Sequence, residues 1–98
     1  MKIFKYNLNF LSDSIVRLPS VFTILSVQSQ GIGSDVSMWV TCDPDSEIHD
    51  RKFFGLATGD DLPEGITWNE YLGTVVLYGG KFVCHYFDGG PMTYGDEQ

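Results

Sequence analysis

The chain carries two histidines, the residues best suited to move a proton near neutral pH, and their neighbours decide what they could do. His85 lies in the segment YLGTVVLYGGKFVCHYF, residues 71–87, where Thr74 faces it across an expected hairpin. A threonine beside a histidine is the start of an activated nucleophile. A hydrolase also needs an orienting third group, and neither a nucleophile elbow nor an oxyanion loop can be read. Cys84 directly precedes His85, so in a strand the two side chains point to opposite faces and cannot act together. A structural His85, bonded to Thr74 or a neighbour, is the favoured reading. His49 sits in the acidic run DPDSEIHD, residues 43–50. A calcium loop starting at Asp43 would need glycine at Ile48 and a bidentate glutamate at Phe54, so an EF-hand is rejected. Gly31-x-Gly33 lacks the third glycine of a dinucleotide loop, Val36 standing in its place, and leads into a strand instead of a helix. Cys42 and Cys84 form no C-x-x-C pair and read as buried thiols. No catalytic residues, metal ligands or cofactor are expected, and the chain is read as a binding protein, not an enzyme.

Binding chemistry is more legible. Tyr6, Trp39 and Tyr71 offer flat surfaces for a purine-like ring, and Thr58 and Thr74 offer hydroxyl partners. Arg51-Lys52 is the only adjacent basic pair, and the Arg51 fork can grip a phosphate through two bonds. The expected ligand-binding set is therefore Tyr6, Trp39, Arg51, Thr58, Tyr71 and Thr74.

These side chains must be positioned by strands. Residues 2–10 alternate, with Phe4, Tyr6, Leu8 and Phe10 on one face. Further extended segments are expected at 15–18, 21–28, 35–42 and 51–58, with a hairpin loop at 30–34 and one helical turn near Trp68. Within 35–42, Val36, Met38, Val40 and Cys42 share a face while Trp39 lies on the other. Gly79-Gly80 predicts a two-residue turn, since both glycines accept positive φ. That register buries Val75, Leu77, Phe82, Cys84 and Tyr86, and sets Leu72, Thr74, Val76 and Tyr78 against Phe87, His85, Val83 and Lys81. The second face is also rich in apolar groups, which predicts a cover such as a second subunit. The expected fold is all-β: a small antiparallel rolled sheet or barrel of about six strands with little helix, the glycine hairpin at its centre. A single domain over 1–98 is expected, with 88–98 a loosely ordered tail.

Composition limits the partners. Thirteen acids against six bases give a net charge of −7, which disfavours direct nucleic-acid binding and anionic membrane surfaces. No apolar run approaches the length of a membrane span or a signal region, so a cytoplasmic location is expected.

Several short motifs together resemble a family of roughly 90-residue phage and bacterial proteins of unknown function. They are Lys5-Tyr6-x-Leu8, Leu18-Pro19, Ile24-Leu25-Ser26-Val27-Gln28, Trp39 before Asp43-Pro44, Thr58-Gly59-x-x-Leu62-Pro63, Tyr71-Leu72-Gly73-Thr74 and Gly79-Gly80-x-Phe82-Val83-x-His85-x-Phe87. The sequence departs from that pattern at Cys84, where a large aromatic is common, in the segment 66–70 and in its acidic tail. The resemblance implies an accessory protein that counters host defence. Two forms of it are expected: an oligomeric sponge that sequesters a cyclic nucleotide signal without cleaving it, or an acidic inhibitor that blocks a host defence protein by direct contact, imitating DNA.

Overall fold

The computed structural model describes residues 1–31 and 33–92 and is an all-β sandwich. Seven strands run in order: β1 (Lys2–Leu8), β2 (Ser14–Pro19), β3 (Phe22–Ser29), β4 (Val36–Cys42), β5 (Ile48–Leu56), β6 (Tyr71–Leu77) and β7 (Phe82–Pro91). They form two antiparallel sheets, β1-β4-β3 and β2-β5-β7-β6, that face each other without closing into a barrel. The helical turn expected near Trp68 is a 3₁₀ turn, Trp68–Glu70, with a capping box between Thr67 and Glu70.

The period-2 pattern sets the core. Val36, Met38, Val40 and Cys42 are all essentially inaccessible, and in register they meet Leu8, Tyr6, Phe4 and Lys2 of β1. From the other sheet come Val16, Leu18, Phe53, Val75, Leu77, Cys84 and Tyr86. Both cysteines are buried free thiols.

The glycine hairpin differs from expectation in three ways. Its ladder closes at Leu77–Phe82, so the loop has four residues, Tyr78 to Lys81, and Tyr78 itself takes a positive φ of 53° beside Gly79 and Gly80. Phe82 consequently stands at the rim of the sandwich, 48% exposed, and is not a core residue. The hairpin also lies to one side of its sheet: β7 is interior, but β6 is an edge strand. A bulge then shifts the far end of the ladder. Gly73 pairs with Tyr86 and Tyr71 with Phe87, so Leu72 is the extra residue and does not face Phe87. Of the segment 88–98 expected as a loose tail, Asp88 to Pro91 instead continue β7 and pair with β5; residues 93–98 and Ile32 lie outside the described residues.

Tyr86 is fully buried and donates its hydroxyl to the Asn9 carbonyl at 2.8 Å. Burial first, then its contact with Cys84, raises its pKa well above 10.0. The unfolded chain therefore loses this proton more readily than the folded one, so the contribution is intact below about pH 10 and is lost as pH rises beyond it. Melting temperature is expected to fall above that pH, and Tyr86→Phe should flatten the alkaline limb. An identical alkaline limb in the variant would refute the assignment.

Candidate functional site

The two sheets each have an inner and an outer face, and register assigns the six candidate residues among them. Tyr6 pairs with Met38 and is on the inner face of its sheet; burial, then the neighbouring Cys42, raises its pKa. Trp39, paired with Lys5 and Ser26, lies half-buried on the outer face of the same sheet. Tyr6 and Trp39 therefore cannot line one pocket within a protomer. Arg51 is opposite the buried Val16 on the inner face of the four-stranded sheet.

Thr58, Tyr71 and Thr74 do come together, on the outer face of that sheet and around His85. Thr74 is directly opposite His85, as register predicts, and its Oγ1 is 2.9 Å from His85 Nδ1. On the other side of the ring, Thr58 Oγ1 is 2.7 Å from His85 Nε2. The Tyr71 hydroxyl closes the array at 2.5 Å from Thr74 Oγ1. Each contact has a local cause. The Leu72 bulge lets Tyr71 and Thr74, an odd number of residues apart, share a face. The Asp60 amide donates to the Ala57 carbonyl, a four-residue turn with Gly59 at φ +99°, and this turn carries Thr58 to the imidazole. Tyr71 packs edge-on against Phe87, with ring centroids 5.6 Å apart.

At the start of β6 and the end of β7, with none of the four array residues in its lining, is a cavity of about 400 Å³ lined by Arg51, Asn69, Glu70, Asp88 and Gly90 among others. Arg51 donates from Nε and Nη2 to the two Asp88 carboxylate oxygens, each at 2.8 Å, and its guanidinium lies 5.0 Å from the Phe22 ring centroid. The fork pairs through one edge, and Nη1 makes no hydrogen bond among the described residues. Neither His85 nor Asp88 belongs to the set expected from sequence. His85 is legible through its register with Thr74, but Asp88 is not, because a glycine-rich acidic ending reads as a tail. Among the described residues no group of three or more His, Cys, Asp or Glu could hold a metal ion. Among the described residues no helix is long and apolar enough to cross a membrane.

Residues 1–93 match the family described as a domain of unknown function (DUF7352), and the chain belongs to that family. Neither a curated protein nor a solved structure matches it.

Proposed function

We propose that this family member is a phage-type accessory protein that counters host defence as an oligomeric sponge, holding a nucleotide signal without cleaving it. The observation that carries this reading is the convergence of Thr58, Tyr71 and Thr74 around His85 on the outer face of the four-stranded sheet, while Arg51 lines a separate cavity from the inner face. Hydroxyl and imidazole groups suit ribose hydroxyls and base edges, and Tyr71 offers a ring to stack on. With a net charge of −7, a phosphate needs a local cation, and Arg51 supplies one only against Asp88 and Glu70 in the same lining. Both His85 nitrogens are taken by threonine hydroxyls and neither by an orienting carboxylate, which favours sequestration over turnover.

Incubation with a panel of cyclic oligonucleotides, followed by heat release, is expected to deplete one of them and return it intact. Altered ligand would mean an enzyme. Thr74→Val, at an exposed position, should keep the fold and weaken capture by about 3- to 10-fold, the worth of one hydrogen bond. Depletion unchanged in that variant would move the site elsewhere.

Assembly belongs to the same reading, since Tyr71, Val76 and Ile15 leave apolar surface on the outer face of the four-stranded sheet. Light scattering at micromolar concentration should give more than the monomer mass; a monomer mass would remove the oligomer from the proposal. The second reading, an acidic inhibitor acting by direct contact with a host protein, is favoured by the pairing of Arg17, Arg51 and Lys52 with carboxylates, which leaves acids in excess at the surface. It predicts that no ligand in the panel is depleted.

A further inference from the structure

We propose that the loop-bearing end of the sandwich is a second binding site, for a neutral heteroaromatic ring of nucleobase type. It does not depend on the Thr58–Tyr71 face. Three connections leave the same end of the fold, because β1, β3 and β4 meet at Leu8, Ser29 and Val36, while β6 and β7 close at Leu77 and Phe82. Between residues 9–12, Ser34, Tyr78 and Phe82 they leave an open cavity of about 420 Å³. Its wall is aromatic. Phe82 makes T-shaped contacts with Phe10 at 6.5 Å and with Tyr78 at 5.5 Å, and Phe82 and Tyr78 are each about half exposed.

Backbone strain points to the same place. Leu11 and Tyr78 are the two non-glycine residues with positive φ among the described residues, at 55° and 53°, and both line this one cavity. Such conformations are unfavourable for side chains with a Cβ and persist only where the surroundings enforce them. At Tyr78 the hairpin turn imposes the conformation, with the Lys81 amide bonded to the Tyr78 carbonyl, and at Leu11 side-chain bonds do. The Leu11 amide bonds to Cys84 Sγ, the Asn9 amide to Ser14 Oγ, and the Asn9 carbonyl receives the Tyr86 hydroxyl. The chain thus holds an exposed tyrosine and leucine in a costly conformation around an open aromatic recess, which is the arrangement of a preorganised site.

The rim selects the ligand. Ser12 and Ser34 supply neutral polar groups, Asn9 adds its side-chain carbonyl, its Nδ2 being bonded to the Asp13 carbonyl, and no charged side chain lines the cavity among the described residues. A heteroaromatic ring has donors and acceptors on its edge to match them, whereas a hydrocarbon ring would desolvate them without compensation. Every base also has a face to stack, so ring type is selected at the edge.

The test titrates adenosine, and separately N-acetyltryptophanamide, into isotopically labelled protein while backbone amide resonances are followed. Adenosine is expected to shift the amides of Leu11, Ser12, Ser34, Tyr78 and Phe82, and to bind more tightly than the tryptophan analogue. Tyr78→Asn tolerates positive φ, so it should melt no lower than the parent and bind adenosine about tenfold or more weakly. Shifts confined to Thr58, Tyr71, Thr74 and His85 would overturn this site while leaving the sponge reading standing. Absence of any shift, equal or tighter binding of the tryptophan analogue, or full affinity in Tyr78→Asn would each overturn it. Failure of the signal panel alongside adenosine shifts at the loop end would instead remove the sponge reading and keep this one.

Discussion

Tyr86→Ala is expected to leave little folded protein at 37 °C. The ring is fully buried between the sheets and its hydroxyl satisfies the Asn9 carbonyl, so truncation opens a cavity and strands a polar group in one step. Removing a large buried aromatic costs about 3–5 kcal/mol, against a total of about 5–15 kcal/mol for a domain of this kind. At about 4–8 °C of melting temperature per kcal/mol, the loss should exceed roughly 12 °C. Tyr86→Phe keeps the ring and loses only the hydrogen bond, so its cost should be about 1–2 kcal/mol. Calorimetry on the pair separates packing from hydrogen bonding. If Tyr86→Ala melts within about 3 °C of the parent, the two sheets do not pack around this ring.

Gly55→Ala should destabilise the protein although the same substitution at Gly73 should not. A Cβ on Gly55 would stand 2.8 Å from the Ser12 carbonyl oxygen and 3.1 Å from Cys84 Sγ, while at Gly73 the nearest atom is Val27 Cβ at 3.8 Å. Alanine for glycine ordinarily gains about 0.4–1 kcal/mol by narrowing the unfolded ensemble, so the sign at Gly55 is diagnostic. Overpacking against backbone costs about 1–3 kcal/mol, and the Ser12 segment cannot easily retreat because Asn9 and Leu11 are both tied down. Denaturant midpoints of the two variants provide the comparison. A Gly55→Ala midpoint at or above that of Gly73→Ala would show that the β1–β2 connection does not press on β5.

Periodic patterns within one strand are legible in the amino-acid sequence, and features that break the period are not. Val36, Met38, Val40 and Cys42 alternate without interruption and form the core that their period implies, as do Val75, Leu77, Cys84 and Tyr86. The pairing of Thr74 with His85 follows from the hairpin register alone. Three bulges, at Leu25, Leu72 and Gly89, each add one residue on one strand and reverse the alternation beyond it. No composition signal marks Leu25 or Leu72, so nothing in the residue pattern shows that Tyr71 shares a face with Thr74. Tyr6 and Trp39 group together as aromatics; their separation depends on which side of β4 each faces, and thus on the burial of Met38. Phe82 departs from expectation for a different reason. Its parity is that of the core, but the loop is two residues longer than Gly-Gly implies, which leaves it at the rim.

The array of Thr58, His85, Thr74 and Tyr71 has a direction. A neutral imidazole carries one N–H, so one ring nitrogen donates and the other accepts. If Nε2 donates to Thr58, Thr74 donates to Nδ1 and Tyr71 to Thr74, leaving Thr58 a hydrogen to give outward and Tyr71 a lone pair. If Nδ1 carries the proton, every bond reverses: Tyr71 gives outward and Thr58 receives. In either tautomer of the neutral ring the outward hydrogen is at one end only, and the ends change places together. A donor docked at Tyr71 selects the sense in which Thr58 donates and an acceptor there selects the other, so with a neutral ring the array can answer a donor and an acceptor in either orientation but cannot donate outward at both ends at once.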